Sequence, residues 1–146
     1  MSIKVMVADT GHLHIYKMAA PRKKLEKLAL FANPFAIQHE RDGGSDKPGR
    51  GMSRSAGRRT ALVGKTTLKQ QATDKFARMV AKTAAAAARD AETTGLVLIM
   101  APRFMALVDA HLPKTAAKKI SARLKRDLVD LPRLELQRRV NGLLGP

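Results

Sequence analysis

Four groupings in this chain bring together residue types that do chemistry. The first is Gly64-Lys65-Thr66-Thr67, which ends like a phosphate-binding loop. Such a loop needs the pattern GxxxxGK[ST] after a buried strand, so that backbone N–H groups cradle the phosphates. Arg59 stands where the first glycine of that pattern belongs, and no apolar strand precedes it. What survives is a helix start near Thr66 or Thr67 with a lysine beside it. It could hold a phosphate through free N–H groups and the helix dipole, or be a capped helix and nothing more. The second grouping is Asp9 with His12 and His14, the two histidines on one side of a strand and His39 as a further neighbour. It could seat a metal or form a nuclease or hydrolase centre. Two-metal chemistry needs several convergent acids, and the twelve in this chain are scattered, so surface histidines on a hairpin are the plainer reading. The third is Ser45, Ser53 and Ser55, which lack a His–Asp pair to activate them.

The fourth grouping is the longest, from Arg41 to Lys65. Seven of its residues are basic (Arg41, Lys47, Arg50, Arg54, Arg58, Arg59 and Lys65) against Asp42 and Asp46, and six of the ten glycines fall inside it. So polar a segment buries too little surface to offset its ordering entropy, which predicts a flexible basic loop over 41–65. Glycine lets the backbone come close to a ligand, and arginine offers forked donors that fit phosphate. The expectation is a loop that grips a polyanion.

Composition points the same way. The chain has 146 residues, enough for one domain over 1–146, and a formal charge of +16. That excess opposes compaction and favours RNA, DNA or an anionic surface as partner. Cysteine is absent, which excludes disulfides and thiolate metal sites. No apolar run is long enough to cross a bilayer, and Met1–Lys17 lacks the apolar core of a secretory signal, so the expectation is a cytoplasmic protein. Only five aromatics are present (Tyr16, Phe31, Phe35, Phe76 and Phe104), so phosphate contacts rather than base stacking should dominate any nucleic-acid binding.

Elements must present these groups. Ile3–Ala8 reads as a buried strand, Asp9-Thr10-Gly11 as a turn, and His12–Lys17 as a second strand of a hairpin. Lys23–Ala32 suits a helix or a strand and ends at Asn33-Pro34. A helix starts at Thr66 or Thr67, with Thr67 and Gln70 at capping-box spacing, and runs to Thr93 with Gly95 as its stop. Its core stripe is Leu68, Ala72, Phe76, Val80, Ala84 and Ala87, with Lys75, Arg78 and Lys82 on a solvated face. Leu96–Met100 is a central strand, Phe104–Leu112 a helix, and a last helix begins around Pro132. Lys114–Asp127 could be an edge strand or a helix. Together they predict an α/β sandwich on a mixed sheet.

Val5-Met6-Val7-Ala8-Asp9, Ser45-Asp46-Lys47-Pro48-Gly49-Arg50, Phe76-Ala77, Leu96 through Phe104, and Asp127-Leu128 with Leu131-Pro132 resemble the bacterial host attachment protein family over nearly the whole chain. That family is similar to the middle domain of the archaeal and eukaryotic class-1 translation release factors. The resemblance implies an RNase H-like fold, a five-stranded mixed sheet flanked by helices, with a strand at Lys23–Ala32 and the last strand within Lys114–Asp127. In the release factors the corresponding loop ends in Gly-Gly-Gln. Here it reads Gly43-Gly44-Ser45, so peptidyl-tRNA hydrolysis is not carried over.

The function expected is a non-enzymatic RNA- or ribosome-binding protein without cofactor or metal. Its phosphate contacts would be Lys47, Arg50, Arg54, Arg58, Arg59, Lys65 and Lys69, extended by Lys118, Lys119 and Arg123 if these lie on the same side. The alternatives are a metal-dependent nuclease or hydrolase centred on Asp9 with His12 or His14, and a protein-interaction factor affecting attachment to host cells. In the second, the charge would meet an acidic protein partner or an anionic surface.

Overall fold

Ser2–Ala8 (β1) is apolar at nearly every position, and both of its faces are buried. A strand of that kind needs cover on both sides and a neighbour at each edge. A computed structural model describes residues 1–35 and 55–145, and for 55–66 the backbone alone. One neighbour of β1 is His12–Met18 (β2), antiparallel, with Ala8 opposite Leu13 and Ile3 opposite Met18. The other is Thr93–Ile99 (β4), parallel, with Val5 opposite Val97. Leu25–Ala32 (β3) pairs antiparallel with β2, and Ile120–Leu124 (β5) pairs parallel with β4. The result is a five-stranded mixed sheet in the order β3-β2-β1-β4-β5. The hairpin is where the residue pattern places it, and the strand at Lys23–Ala32 and the last strand within Lys114–Asp127, which that pattern left open, are where the family resemblance implies them.

A parallel neighbour needs a crossover, and Ser55–Arg89 (α1) supplies it. Pro102–His111 (α2) and the single turn Lys114–Ala117 (α3) follow β4, and Arg133–Leu144 (α4) follows β5. Strand alternation then sorts the core into two layers. Met6, Leu13, Leu96 and Leu98 meet Phe76, Val80 and Ala84 of α1 and Phe104 and Val108 of α2. Val5, Val7, Tyr16, Val97 and Ile99 meet Leu136 and Val140 of α4 on the other face. The alanine run of α1 allows close approach: Ala77, Ala81, Ala84 and Ala85 are all buried there.

Three expectations are corrected. The long helix begins at Ser55 rather than Thr66 or Thr67, so residues 55–65 belong to a helix and not to the loop, while 36–54 lie outside the described residues. Its core stripe starts at Phe76, and Leu68 is 55 % exposed, since none of the described strands lies beneath that part of the helix. Gly95 does not stop the helix, which ends at Arg89. It sits inside β4, where an added Cβ would collide with Oγ of Ser121 on β5.

Phe76→Ala should therefore cost about 3–5 kcal/mol in denaturant unfolding, whereas Leu68→Ala should change stability by less than about 0.5 kcal/mol. Comparable losses from both would place the two on one buried face.

Candidate nucleic-acid interface

Strand register gives the sheet two ends. At the first, β1 and β4 begin, Ile3 lies level with Met18 and Gly95, and Leu96 with Ile120. At the second, β1, β4 and β5 finish, at Ala8, Ile99 and Leu124, and β3 runs out at Ala32 beside His12. Helix α1 leads into β4 at the first end, so its own start points towards the second. At 35 residues it is about 52 Å long, against about 23 Å for the seven residues of β1. Asn33 marks where α1 leaves the body: it is buried and donates to the carbonyls of Thr10 at 3.0 Å and Ala72 at 3.5 Å. Beyond that point Thr67–Gln71 are exposed throughout.

The expected phosphate contacts separate on this frame. Lys47, Arg50 and Arg54 lie outside the described residues. Arg58, Arg59 and Lys65 fall in the backbone-only stretch of α1, and Lys69 stands exposed on the part that passes the second end. Thr66 and Thr67 are interior to the helix, so their N–H groups are not the free donors of a helix start, and no phosphate site of that kind forms there. Lys118 and Lys119 are at the opposite, first end. Lys118 is exposed, but Lys119 Nζ donates to the carbonyl of Thr93 at 2.7 Å. Lys4 donates to the Thr93 hydroxyl at 3.1 Å, with Asp90 at 3.6 Å from its Nζ. Arg123 pairs with Asp109 of α2 at 3.1 Å. Two of the three cations expected from that segment are thus engaged by the fold itself.

The second end gathers other cations. Arg103 opens α2 just past β4, and Lys125 and Arg126 follow β5. All three are exposed, and none has a carboxylate partner among the described residues. Arg103, Lys125 and Arg126 follow the carboxyl ends of the parallel strands, the position at which open α/β sheets take ligands, and Lys69 is on the part of α1 that passes the same end. Composition gave no sign of Arg103, an isolated arginine after a proline. Its position matters only once β4 and β5 are known to end side by side.

The Asp9 grouping is used by the hairpin. Asp9 Oδ1 accepts the backbone N–H of Gly11 at 2.8 Å and of His12 at 2.6 Å, closing the β1–β2 turn. His12 Nδ1 is 3.5 Å from the same oxygen, and the His12 and His14 rings are 6.4 Å apart on one face of β2. Among the described residues no three His, Asp or Glu side chains come together as a metal-holding group. Burial lowers the pKa of His14 below its ordinary 6.5, and the charges of Lys27 and His12 add to the effect.

The sequence model of a family described as "Protein required for attachment to host cells" matches residues 4–140. No curated protein matches the chain.

A histidine whose pKa is lowered by folding favours the neutral form in the folded state. Its contribution is full above pH 6.5, the unfolded value, and is lost as pH falls through the folded one. His14→Gln should therefore flatten the decline of thermal stability below pH 6.5. An unchanged decline would remove His14 from that pH dependence.

Proposed function

Because the chain belongs to the family of proteins required for attachment to host cells, we propose that it acts through a polyanion, as a non-enzymatic RNA- or ribosome-binding protein. The observation that carries this reading is the start of α1 standing past the end of the sheet where Lys69, Arg103, Lys125 and Arg126 gather without carboxylate partners. A charge of +16 then needs counter-charge, and a phosphate backbone supplies it at regular spacing. On a helical repeat, positions 58, 65 and 69 fall along one side of α1, a spacing that suits tracking such a backbone. Lys47, Arg50, Arg54 and Arg59 would add to it from the neighbouring sequence. The few aromatics make shape and phosphate, rather than base identity, the feature recognised.

The strand order, with β2 alone running against the rest, supports an RNase H-like reading of the fold and the likeness to the release-factor middle domain. Gly43-Gly44-Ser45 in place of a Gly-Gly-Gln tip argues against hydrolysis of peptidyl-tRNA. A role in attachment to host cells would then be indirect, exerted from the cytoplasm through RNA or the ribosome.

Binding to unrelated RNAs should weaken by a similar factor in Arg58→Ala/Arg59→Ala and in Lys125→Ala/Arg126→Ala. In each, the slope of log affinity against log salt should flatten by up to about two. Lys119→Ala should alter stability before affinity, since its ammonium is held by Thr93. Unaltered affinity and salt slope in the first two variants would remove α1 and the strand ends from the interface.

A further inference from the structure

Among the described residues the outer edge of β3 has no strand beside it, and beyond Leu25, which is buried, and Ala29, which packs against the core, its side chains are uncovered. Its one strand neighbour among the described residues is β2. Six of its eight residues are exposed, among them Leu28 at 51 %, Leu30 at 55 % and Phe31 at 42 %. An apolar edge of this kind is a template for pairing with another chain, and natural sheets blunt it with proline, charge or a covering element. Here no proline interrupts Leu25–Ala32, and its only charges, Glu26 and Lys27, sit at the beginning.

The window is bounded at both ends. At Leu25 the N–H donates to Gln137 Oε1 at 3.0 Å and the carbonyl accepts from Arg133 at 3.2 Å, so α4 occupies the edge there. At Asn33 the N–H donates to the Gly11 carbonyl at 2.8 Å and the chain turns away. Between them lies a stretch from Glu26 to Ala32 with two chemical halves. The later half is apolar: Leu28, Leu30 and Phe31. The earlier half adjoins Arg22, Lys23, Lys24 and Lys27, all exposed and without a carboxylate partner among the described residues. Lys27 Nζ lies 5.9 Å from the centre of the Tyr16 ring, and Arg22 is held in the left-handed region (φ 71°), its N–H on Asn141 Oδ1 at 3.0 Å.

We propose that this edge takes an extended acidic segment of a protein partner as a sixth strand. Main-chain hydrogen bonds would supply affinity. Apolar side chains would meet Leu28, Leu30 and Phe31, and carboxylates would meet Lys23, Lys24 and Lys27. Charge decides against a second copy as occupant: it would bring +16 to +16 and set lysines against lysines. The site is separate from the strand ends assigned to RNA and does not rest on that reading.

The test uses the full chain and two labelled peptides, each an eight-residue β-former with valines in one half and glutamates in the other, in both chain directions, followed by fluorescence anisotropy. One direction should bind, and its counterpart N-methylated at alternate residues, equal in charge but unable to pair, should bind at least tenfold more weakly. Leu30→Lys/Phe31→Lys should lose tenfold or more with unchanged thermal unfolding, and Lys23→Glu/Lys24→Glu should lose a similar factor. Amide exchange over 26–32 should slow when peptide is added. Equal binding of the plain and N-methylated peptides, no binding in either direction, or no change in exchange overturns the proposal. So does sedimentation showing a dimer that Leu30→Lys/Phe31→Lys converts to monomer.

Discussion

Burial of β1 and β4 on both faces is the constraint from which the rest of the molecule follows. Their side chains are apolar up and down, so a helical layer must lie on each side, and the two strands run parallel. Joining parallel neighbours takes a crossover. Helix α1 is that crossover, and it is longer than the strands it covers. Its last part, from Phe76 to Ala88, seals one face, and the earlier part has none of the described strands beneath it. The surplus length points past the carboxyl ends of the parallel strands because α1 must finish where β4 begins.

Charge is sorted by the same geometry. Cations at places where the fold needs a partner are engaged: Lys4 and Lys119 around Thr93, Arg123 on Asp109, and Arg133 on the edge of β3. Among the described residues, Arg103, Lys125 and Arg126 at the strand ends, Lys69 on α1, and Lys23 and Lys24 in the β2–β3 turn have no such contact. With so few acids in the chain, repulsion among them opposes the compact state, and a bound polyanion relieves it. Under the proposed function the unengaged cations are assigned to a ligand, since the core makes no use of them.

Much of the scaffold was legible in the sequence. The run Ile3–Ala8 and the alternation His12–Lys17 name a hairpin, and Leu96–Met100 names a central strand, because hydrophobic period reports burial directly. The site was less legible. Glycine and arginine density over Arg41–Lys65 reads as a loop, yet the structure makes Ser55–Lys65 helical, continuous with a strongly helix-forming stretch that composition alone does not reveal. Thr67 and Gln70 have capping spacing but lie mid-helix, a local signal overridden by its context. Likewise Lys118, Lys119 and Arg123 read as one basic run. Lys118 and Lys119 stand just before β5, at one end of the sheet, and α2 claims Arg123. Sequence reports charge; only topology reports which charges meet.

The central claim is that this protein occupies a dense line of phosphates in the cell. Sedimentation of a gently prepared lysate through a sucrose gradient, at low and high salt and with and without ribonuclease, tests it most directly. The account predicts that the protein travels with ribosomal or other RNA-bearing fractions at low salt and returns to the top with salt or ribonuclease. Protein confined to the top at low salt, with or without ribonuclease, would contradict it.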